Sequence, residues 1–191
     1  MILYLHGFRS SPLSFKAQAA AEYMNRQGLG GRFFCPQLPE SPFQSVSLAA
    51  QFMEGYDPAR ILLIGSSLGG YYANFLAERT GCRAVLLNPV IDPWHVKVST
   101  ENSSQTLELA EWEMEREKYA AELESFLIHK ITQPERYFLI AATGDKLLDY
   151  RQMSTHYENA RQIIIEGSDH SLPEFPDYLD EILVFSGLPS V

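Results

Sequence analysis

The sequence lacks the long apolar runs and the basic clusters that are typical of membrane-spanning and nucleic-acid-binding proteins. None of its runs approaches the roughly 18 consecutive apolar residues of a transmembrane helix, so we expect no membrane span. Its 24 Asp and Glu outnumber its 15 Lys and Arg. The resulting net charge of −9 argues against a generic partner such as nucleic acid or an anionic membrane, because phosphate contacts need clustered Lys and Arg.

Cysteine is also scarce. Cys35 and Cys82 lie far apart with no metal-type spacing, so we expect both thiols to be reduced, partly buried and chemically silent. The start of the chain, Met1–Leu5, lacks the basic beginning and long apolar core of a signal peptide. These features predict a cytoplasmic protein. A length of 191 residues with 46% hydrophobic and 20% charged residues predicts one globular domain over residues 1–191.

Short apolar runs alternate with segments of helical periodicity. The runs are apolar nearly throughout, which is typical of strands buried on both faces of a parallel sheet. They are Ile2–Leu5, Arg32–Cys35, Ile61–Ile64, Ala84–Leu87, Tyr137–Ala142 and Gln162–Ile165. We expect the first helix to be capped by Ser11, with Pro12 at its first position, and to stop at Gly28. Further helices are expected over about Phe43–Gly55, Leu68–Thr80, Arg151–Asn159 and Glu174–Phe185. The pattern predicts an α/β protein with a mostly parallel central sheet of about six strands and helices on both faces.

Residues 88–136 interrupt this alternation, because they contain no strand-like run. Within them, Leu107–Lys130 has apolar residues at helical spacing and glutamates on the other sides. The apolar stripe is Leu109, Trp112, Tyr119, Leu123 and Phe126. Since α/β sheets bind ligands beyond the C-terminal ends of their strands, we predict a helical lid over about residues 90–132. A surface helix with one packing face is the alternative.

The insertion also carries most of the excess negative charge. Between Glu101 and Glu124 there are eight acidic and two basic residues, a local net charge of −6. This acidity either disfavours anionic substrates such as acyl-CoA near the insertion or keeps an exposed helix in solution.

Residues Gly65–Gly69 form a G-x-S-x-G motif between the apolar run Ile61–Ile64 and a helical segment. In this context the motif predicts a nucleophile elbow, a sharp strand-to-helix turn that lifts the hydroxyl of Ser67 above the sheet edge. Glycines are needed because the turn is strained and the flanking backbones pack closely. The motif alone is weak, and its position between a strand and a helix is what makes it informative.

A serine nucleophile needs a neighbouring base, for which five histidines are available. Three of them, His95, His129 and His156, lie on or beside predicted helices, where a surface or packing role is expected. His170 follows the last predicted strand, in a loop that can fold back over the sheet edge that carries the elbow. We therefore predict His170 as the base; an exposed loop histidine is the alternative.

The third member of such a site is a carboxylate that orients the imidazole. Asp145 and Asp149 both follow the strand Tyr137–Ala142, and both preserve the order Ser, Asp, His along the chain. Asp145 is closer to the strand and follows a glycine, so we assign it to the site. Asp149 is better placed to cap the next helix. Asp169 is a poor candidate, because a residue adjacent to His170 would need a tight reversal to reach its ring.

An oxyanion hole would come from the loop after the first strand and from the residue after the nucleophile. These positions predict the backbone N–H groups of Phe8 and Leu68. His6 is then expected to be structural and to hold the loop by hydrogen bonds. No second ligand with suitable spacing accompanies His6, and no GxGxxG or Walker motif occurs, so neither a metal nor a nucleotide cofactor is predicted.

Taken together, these segments resemble the YqiA-type esterases, small bacterial α/β-hydrolases of about this length. The resemblance extends from the first strand to the last helix, and it is least clear in the insertion. The segments that carry it are Tyr4–Phe8, Gly65–Tyr72, Asn88–Pro89, Thr143–Asp145, Leu148–Gln152, Glu166–Gly167 and His170. The resemblance implies a minimal α/β-hydrolase fold without the first two strands of larger members. It also implies that Ser67, Asp145 and His170 occupy the positions of the catalytic triad.

We therefore expect a serine esterase that hydrolyses small carboxylic esters of short-to-medium acyl chains through an acyl-enzyme. A thioesterase on the same triad is one alternative, and a preference for acyl-CoA would predict basic residues near the pocket mouth, such as Arg9 or Lys146. A hydrolase fold kept for ligand binding without turnover is the other, although such proteins normally lose a triad residue. The sequence does not predict the substrate-binding residues or the oligomeric state.

Overall fold

A computed structural model describes residues 1–95 and 103–188, with the backbone alone for residue 95 and residues 103–109. The strands are β1 (Ile2–Leu5), β2 (Phe33–Phe34), β3 (Leu62–Ser66), β4 (Arg83–Leu87), β5 (Tyr137–Ala142) and β6 (Arg161–Ile165). The α-helices are α1 (Phe15–Arg26), α2 (Pro42–Met53), α3 (Leu68–Thr80), α4 (Ser103–Lys118), α5 (Ala120–Ser125), α6 (Tyr150–His156) and α7 (Leu179–Ser186). Within the described ranges, no helix combines the length and the apolar character needed to cross a bilayer.

The strands form one parallel sheet in the order β2-β1-β3-β4-β5-β6. The predicted architecture is thus confirmed, and every strand pair is parallel. Because the strands are parallel, the loops that follow β1, β3, β4, β5 and β6 all emerge at the same sheet edge. Those loops carry the segments in which the sequence predicts the site.

Alternate strand residues enter two separate apolar clusters, one on each face of the sheet. On one face, Leu3, Leu63 and Leu86 pack with residues of α2, α3 and α6. On the other, Ile2 and Ile64 pack with residues of α1 and α7. Both faces of the central strands are covered, which is why these strands are almost continuously apolar.

The two edge strands depart from the expected pattern. Arg32–Cys35 shortens to the two half-buried residues of β2. In β6, Arg161 and Ile164 are exposed, so the expectation that this strand is buried on both faces was wrong. An edge strand has a neighbour on one side only, and its side chains are less completely covered than those of central strands.

Three predicted helix boundaries also need correction, one of which is the start of the last helix: it begins at Leu179 rather than Glu174, because Phe175–Tyr178 form a 3₁₀ turn. The first helix begins at Phe15 with Ser14, rather than Ser11, at the N-cap position. Ser11 instead belongs to a preceding turn, where its carbonyl accepts a hydrogen bond from the amide of Ser14 at 3.0 Å. The helix predicted over Leu107–Lys130 is divided at Tyr119 into α4 and α5, and α5 ends at Ser125.

The stripe of the insertion nevertheless packs where its periodicity predicts. Trp112, Leu123 and Phe126 are buried in the cluster that contains α2 and α3. The hydroxyl of Tyr71 on α3 donates a hydrogen bond to the carbonyl of Leu123 at 2.6 Å. The side chain of Leu109 lies outside the described residues.

Both cysteines are free thiols. Burial raises the pKa of each, that of Cys35 to about 11, so the reactive thiolate form is disfavoured at neutral pH. This agrees with the expectation that they are chemically silent.

Candidate active site

Ser67 occupies a strained turn between β3 and α3. Its backbone has φ 54° and ψ −120°, a region that L-residues rarely adopt. The turn is held from both sides, because the amide of Ser67 donates to Leu87 at 3.0 Å and its carbonyl accepts from Val90 at 3.1 Å. The geometry is that of a nucleophile elbow, in which surrounding hydrogen bonds maintain a conformation that the chain would not adopt alone.

The elbow packs directly against the end of β1. A Cβ added at Gly69 would lie 2.1 Å from the carbonyl oxygen of Leu5, and one added at Gly65 would lie 2.4 Å from the carbonyl oxygen of Gly69. Neither position can therefore accept a larger side chain without moving backbone. This contact brings the loop after β1 next to the serine.

Asp145 and His170 come together although 25 positions separate them in the chain. Nδ1 of His170 donates to Oδ2 of Asp145 at 2.6 Å. The other carboxylate oxygen of Asp145 accepts from the amides of Leu147 at 2.8 Å and Leu148 at 3.0 Å. The Asp145 side chain is 0% exposed and the His170 side chain 28%, so the carboxylate is enclosed while the imidazole is accessible. With its proton on Nδ1, the ring keeps Nε2 as an acceptor.

The other two aspartates have local roles. Asp149 is the N-cap of α6, and its carboxylate accepts from the amide of Arg151 at 3.0 Å. The carboxylate of Asp169 accepts from the amide of Ser171 at 2.8 Å. Of the three aspartates considered in the sequence, Asp145 is thus the one that the structure brings to His170.

The loop after β1 lies beside Ser67 and is held by His6. A Cβ added at Gly7 would be 3.7 Å from Oγ of Ser67, which places the following residue, Phe8, at the serine. Buried His6 donates from Nδ1 to the Gly7 carbonyl at 3.0 Å and accepts at Nε2 from the Leu38 amide at 3.0 Å. Burial also lowers the pKa of His6, which favours the neutral ring that this pattern requires.

Neither the Phe8 nor the Leu68 amide donates a hydrogen bond to another of the described residues. Both residues line one cavity of about 300 Å³ together with Ser67 and His170. An unused amide at such a cavity is available to an anionic oxygen of a ligand. The cavity therefore brings together four of the five residues that the sequence selects, and Asp145 adjoins it through its bond to His170.

Asn88, which sequence reasoning did not assign to the site, connects three of its loops. It is fully buried, with Oδ1 accepting from the amide of Ala142 at 2.8 Å. Its Nδ2 donates to the carbonyl oxygens of Asp169 at 3.1 Å and His170 at 3.4 Å. Asn88 thereby fixes the His170 loop relative to the ends of β4 and β5. Its place directly after β4 was the available sequence signal.

Lys16, near the start of α1, is a second site residue that the sequence did not indicate. It lines the cavity, and its Nζ donates to the carbonyl oxygen of His170 at 3.2 Å. Burial lowers the pKa of this lysine to about 8, although Asp145 and Asp169 oppose the shift. No sequence signal relates a helical lysine to a loop 154 positions away.

The insertion reaches the loop after β1 through α4. The rings of Phe8 and Trp112 meet edge-on with centroids 5.3 Å apart. Next to them, Arg9 forms an ion pair with Glu111 and lies over the Phe8 ring. Trp112 also lines the cavity, so α4 forms part of its wall.

Neither His129 nor His156 belongs to the lining of this cavity. His129 is exposed, whereas His156 is half-buried, lies 3.2 Å from the side-chain amide of Asn74 and packs edge-on against Tyr157. The side chain of His95 is outside the described residues. Over the residues that the structure describes, no three His, Cys, Asp or Glu side chains are grouped so that they could hold a metal ion.

Solved structures place this architecture in the class of α/β-hydrolase folds. Mouse α/β hydrolase domain-containing protein 10 is 14% identical and superposes with a TM-score of 0.70, over 97% of this chain and 88% of the mouse chain. An esterase of Pyrococcus furiosus is 18% identical, with a TM-score of 0.68 over 96% of this chain and 78% of its own. An α/β-hydrolase enzyme from a lagoon-sediment metagenome is 16% identical, with a TM-score of 0.65 over 96% of this chain and 88% of its own.

The chain belongs to the uncharacterised protein family UPF0227, whose model matches residues 1–187. YqiA is the archetype of that family, so the resemblance found in the sequence is confirmed.

Proposed function

We propose that this protein is a serine esterase that hydrolyses small carboxylic esters of short-to-medium acyl chains through an acyl-enzyme. The observation that carries the proposal is the 2.6 Å hydrogen bond between Asp145 and His170. His170 lines the same cavity as Ser67, whose backbone is strained. A buried carboxylate that orients an accessible imidazole near an elbow serine supports acyl transfer, because a serine hydroxyl is a poor nucleophile without a base.

In the first half-reaction, Nε2 of His170 accepts the Ser67 proton as Oγ attacks the ester carbonyl carbon. The amides of Phe8 and Leu68 donate to the resulting oxyanion. When the tetrahedral intermediate collapses, the C–O bond to the alcohol breaks and His170 returns the proton to the leaving alcohol. A water then repeats the sequence on the acyl-enzyme, which releases the acid and restores Ser67. Throughout, Asp145 holds the imidazole and stabilises its protonated form.

We further propose that residues 1–191 form one catalytic domain and that the insertion over about 90–132 acts as its lid. The support is local: α4 contacts the loop of the proposed oxyanion hole through Phe8–Trp112 and Arg9–Glu111. On the far side, Glu122 of α5 accepts from the Ser41 hydroxyl at 2.7 Å and the Phe43 amide at 2.8 Å. The acidic residues of the insertion thus attach it to the body of the fold.

Neither of the two basic residues that the sequence singled out supports the acyl-CoA alternative. Arg9 is engaged by Glu111, and Lys146 does not belong to the cavity lining of the described residues. The non-catalytic alternative is also not favoured, because Ser67, Asp145 and His170 are all retained.

A panel of 4-nitrophenyl esters of increasing acyl length tests the proposal. We expect the wild type to hydrolyse the shorter members and Ser67→Ala to lose about 10⁴-fold or more of kcat/KM. Ser125→Ala is the matched control, because its exposed hydroxyl donates to the Glu122 carbonyl outside the cavity lining. No hydrolysis of any ester, with a ligand still raising the melting temperature, would instead support a binding protein.

A further inference from the structure

The proposed active-site cavity contains one basic side chain of the lysine or arginine type. Among the described residues that line it, that side chain is Lys16, and no aspartate or glutamate shares the lining. The whole protein has a net charge of −9, so a cation at this position is locally opposite to the overall charge. A lysine in the lining gives an anionic ligand a local attraction that the acidic remainder of the surface does not offer.

The ammonium of Lys16 keeps donor capacity for a ligand. In the described part of the chain its one hydrogen bond goes to the His170 carbonyl at 3.2 Å. An ammonium has three N–H donors, so two are left for another acceptor. Lys16 is half-buried, and the loss of hydration lowers its pKa even though Asp145 and Asp169 lie near enough to oppose the shift. A bound carboxylate would supply an acceptor for the remaining N–H groups and a further negative charge beside the ammonium.

The rest of the lining is divided by chemical type. Hydroxyl groups come from Ser10 and Ser14, on the loop and turn before α1, and from Ser171, next to His170. Apolar contacts come from other segments, with Val90 and Trp112 from the insertion and Leu148 from the loop after β5. The cavity therefore offers apolar surface for a short carbon chain and a cation with hydroxyls for a polar end.

We propose that Lys16 binds a carboxylate of the substrate and that the preferred substrates are short monoesters of dicarboxylic acids. Nζ of Lys16 is hydrogen-bonded to the backbone carbonyl of His170, and both residues line the cavity with Ser67. A carboxylate bound to Lys16 would therefore lie close to the ester group that reacts at Ser67. A cavity of about 300 Å³ is at the small end of the range of ligand-pocket volumes, which favours a short acid. The inference rests on the proposed esterase function and specifies its substrate class.

Monomethyl and dimethyl glutarate form a matched substrate pair, because they differ in whether the distal carboxylate is free or esterified. Methanol release gives kcat/KM for each, and we expect the wild type to prefer the monoester by about tenfold or more. In Lys16→Met the monoester-to-diester ratio should fall by about 10- to 100-fold, the range expected for a lost charge-assisted hydrogen bond. Lys130→Met, which removes an exposed lysine outside the lining of this cavity, should leave the ratio unchanged.

Hydrolysis of both esters by the wild type, dependent on Ser67 but with equal kcat/KM for the monoester and the diester, would by itself overturn the inference. An equal loss for both substrates in Lys16→Met would also overturn it, because the lysine would then only tether the His170 loop. Lys16→Gln is measured alongside, so that a folding defect in one variant does not decide the result. Failure of the esterase proposal is distinguishable, since the wild type would then hydrolyse neither ester faster than Ser67→Ala.

Discussion

Two aspartates four positions apart show how strongly the role of a residue depends on its hydrogen-bond partners. Asp145 accepts from His170 and from two backbone amides, and its side chain is fully enclosed. Asp149 accepts from the first turn of α6. A carboxylate that accepts three hydrogen bonds is fixed as an orienting group, whereas one at an N-cap contributes to the stability of its helix.

Paired substitutions separate these two roles. Asp145→Asn should lower kcat by about 10³- to 10⁴-fold, because the amide cannot hold His170 with its proton on Nδ1. Asp149→Asn should retain wild-type kcat, and Asp149→Ala should lower the free energy of unfolding by about 1 kcal/mol. Ester hydrolysis and urea unfolding of all three variants provide the measurements. A large loss of kcat in Asp149→Asn together with wild-type kcat in Asp145→Asn would contradict the assignment of Asp145 as the residue that orients His170.

At the scale of secondary structure, the elbow depends on how closely α3 approaches β1. The carbonyl oxygens of Leu5 and His6 lie where a side chain at Gly69 would begin, at 2.1 Å and 2.6 Å from an added Cβ. Both obstructing atoms are backbone, so relief would require the strand or the helix to shift. The same approach places the loop after β1 against Ser67, and a shift would therefore also open the proposed oxyanion hole.

Gly69→Ala should consequently lower the free energy of unfolding by about 3 kcal/mol or more, with a large loss of kcat in whatever fraction folds. Gly31→Ala is the matched control, since its added Cβ meets no atom within 4 Å and should change stability by less than about 0.5 kcal/mol. Thermal unfolding followed by circular dichroism gives both values. Similar melting temperatures for the two variants would contradict the close packing described here.

Most of the strands, and the proximity of Ser67, Asp145 and His170, could be predicted because the signals for them are local. The apolar runs Ile2–Leu5 and Tyr137–Ala142 coincide with β1 and β5, since central parallel strands must be apolar on both faces. The elbow serine sits in a contiguous motif. His170 and Asp145 follow strand ends, and parallel topology brings strand ends to one sheet edge.

The rest could not be predicted because it depends on contacts between distant segments. Ser11 and Ser14 are both suitable residue types for an N-cap. Ser14 takes the position because Ser11 lies in the turn that precedes the helix. Asn88 and Lys16 reach the His170 loop across 82 and 154 positions, with no local pattern that would reveal the contact. The break between α4 and α5 at Tyr119 likewise has no nearby proline or glycine from which it could be predicted.

At the scale of the whole molecule, the partial burial of Lys16 at the candidate active site is expected to lower the free energy of unfolding at neutral pH. The pKa of Lys16 is about 8 in the folded protein and 10.5 as its ordinary value. Between these values the unfolded chain binds more protons than the folded one, so this lysine makes stability rise with pH. Below pH 8 the loss of stability caused by Lys16 is fully present, and above pH 10.5 it is absent. Asp145 and Asp169 face the ammonium and reduce the cost, and His170 is its hydrogen-bond partner.

Lys16→Met should therefore raise the free energy of unfolding by about 1–3 kcal/mol at pH 7, and the gain should disappear as the pH rises from 8 to 10.5. The measurement is the difference between urea unfolding of wild type and variant at a series of pH values. Buried Tyr4 and Tyr72 have raised pKa values and destabilise both proteins at alkaline pH, so their effect cancels in the difference. A constant or negative difference across the range would contradict this account of Lys16.

The central claim is that Ser67 is the nucleophile of a working serine hydrolase, and covalent labelling tests it most directly. A fluorophosphonate reacts by forming a bond between the serine Oγ and phosphorus as fluoride leaves, which requires an activated serine. We predict one adduct per chain, mapped by mass spectrometry to Ser67, no adduct in Ser67→Ala and slow labelling of Asp145→Asn. A folded wild-type protein that remains unlabelled, or that carries the adduct on another serine, would contradict the claim.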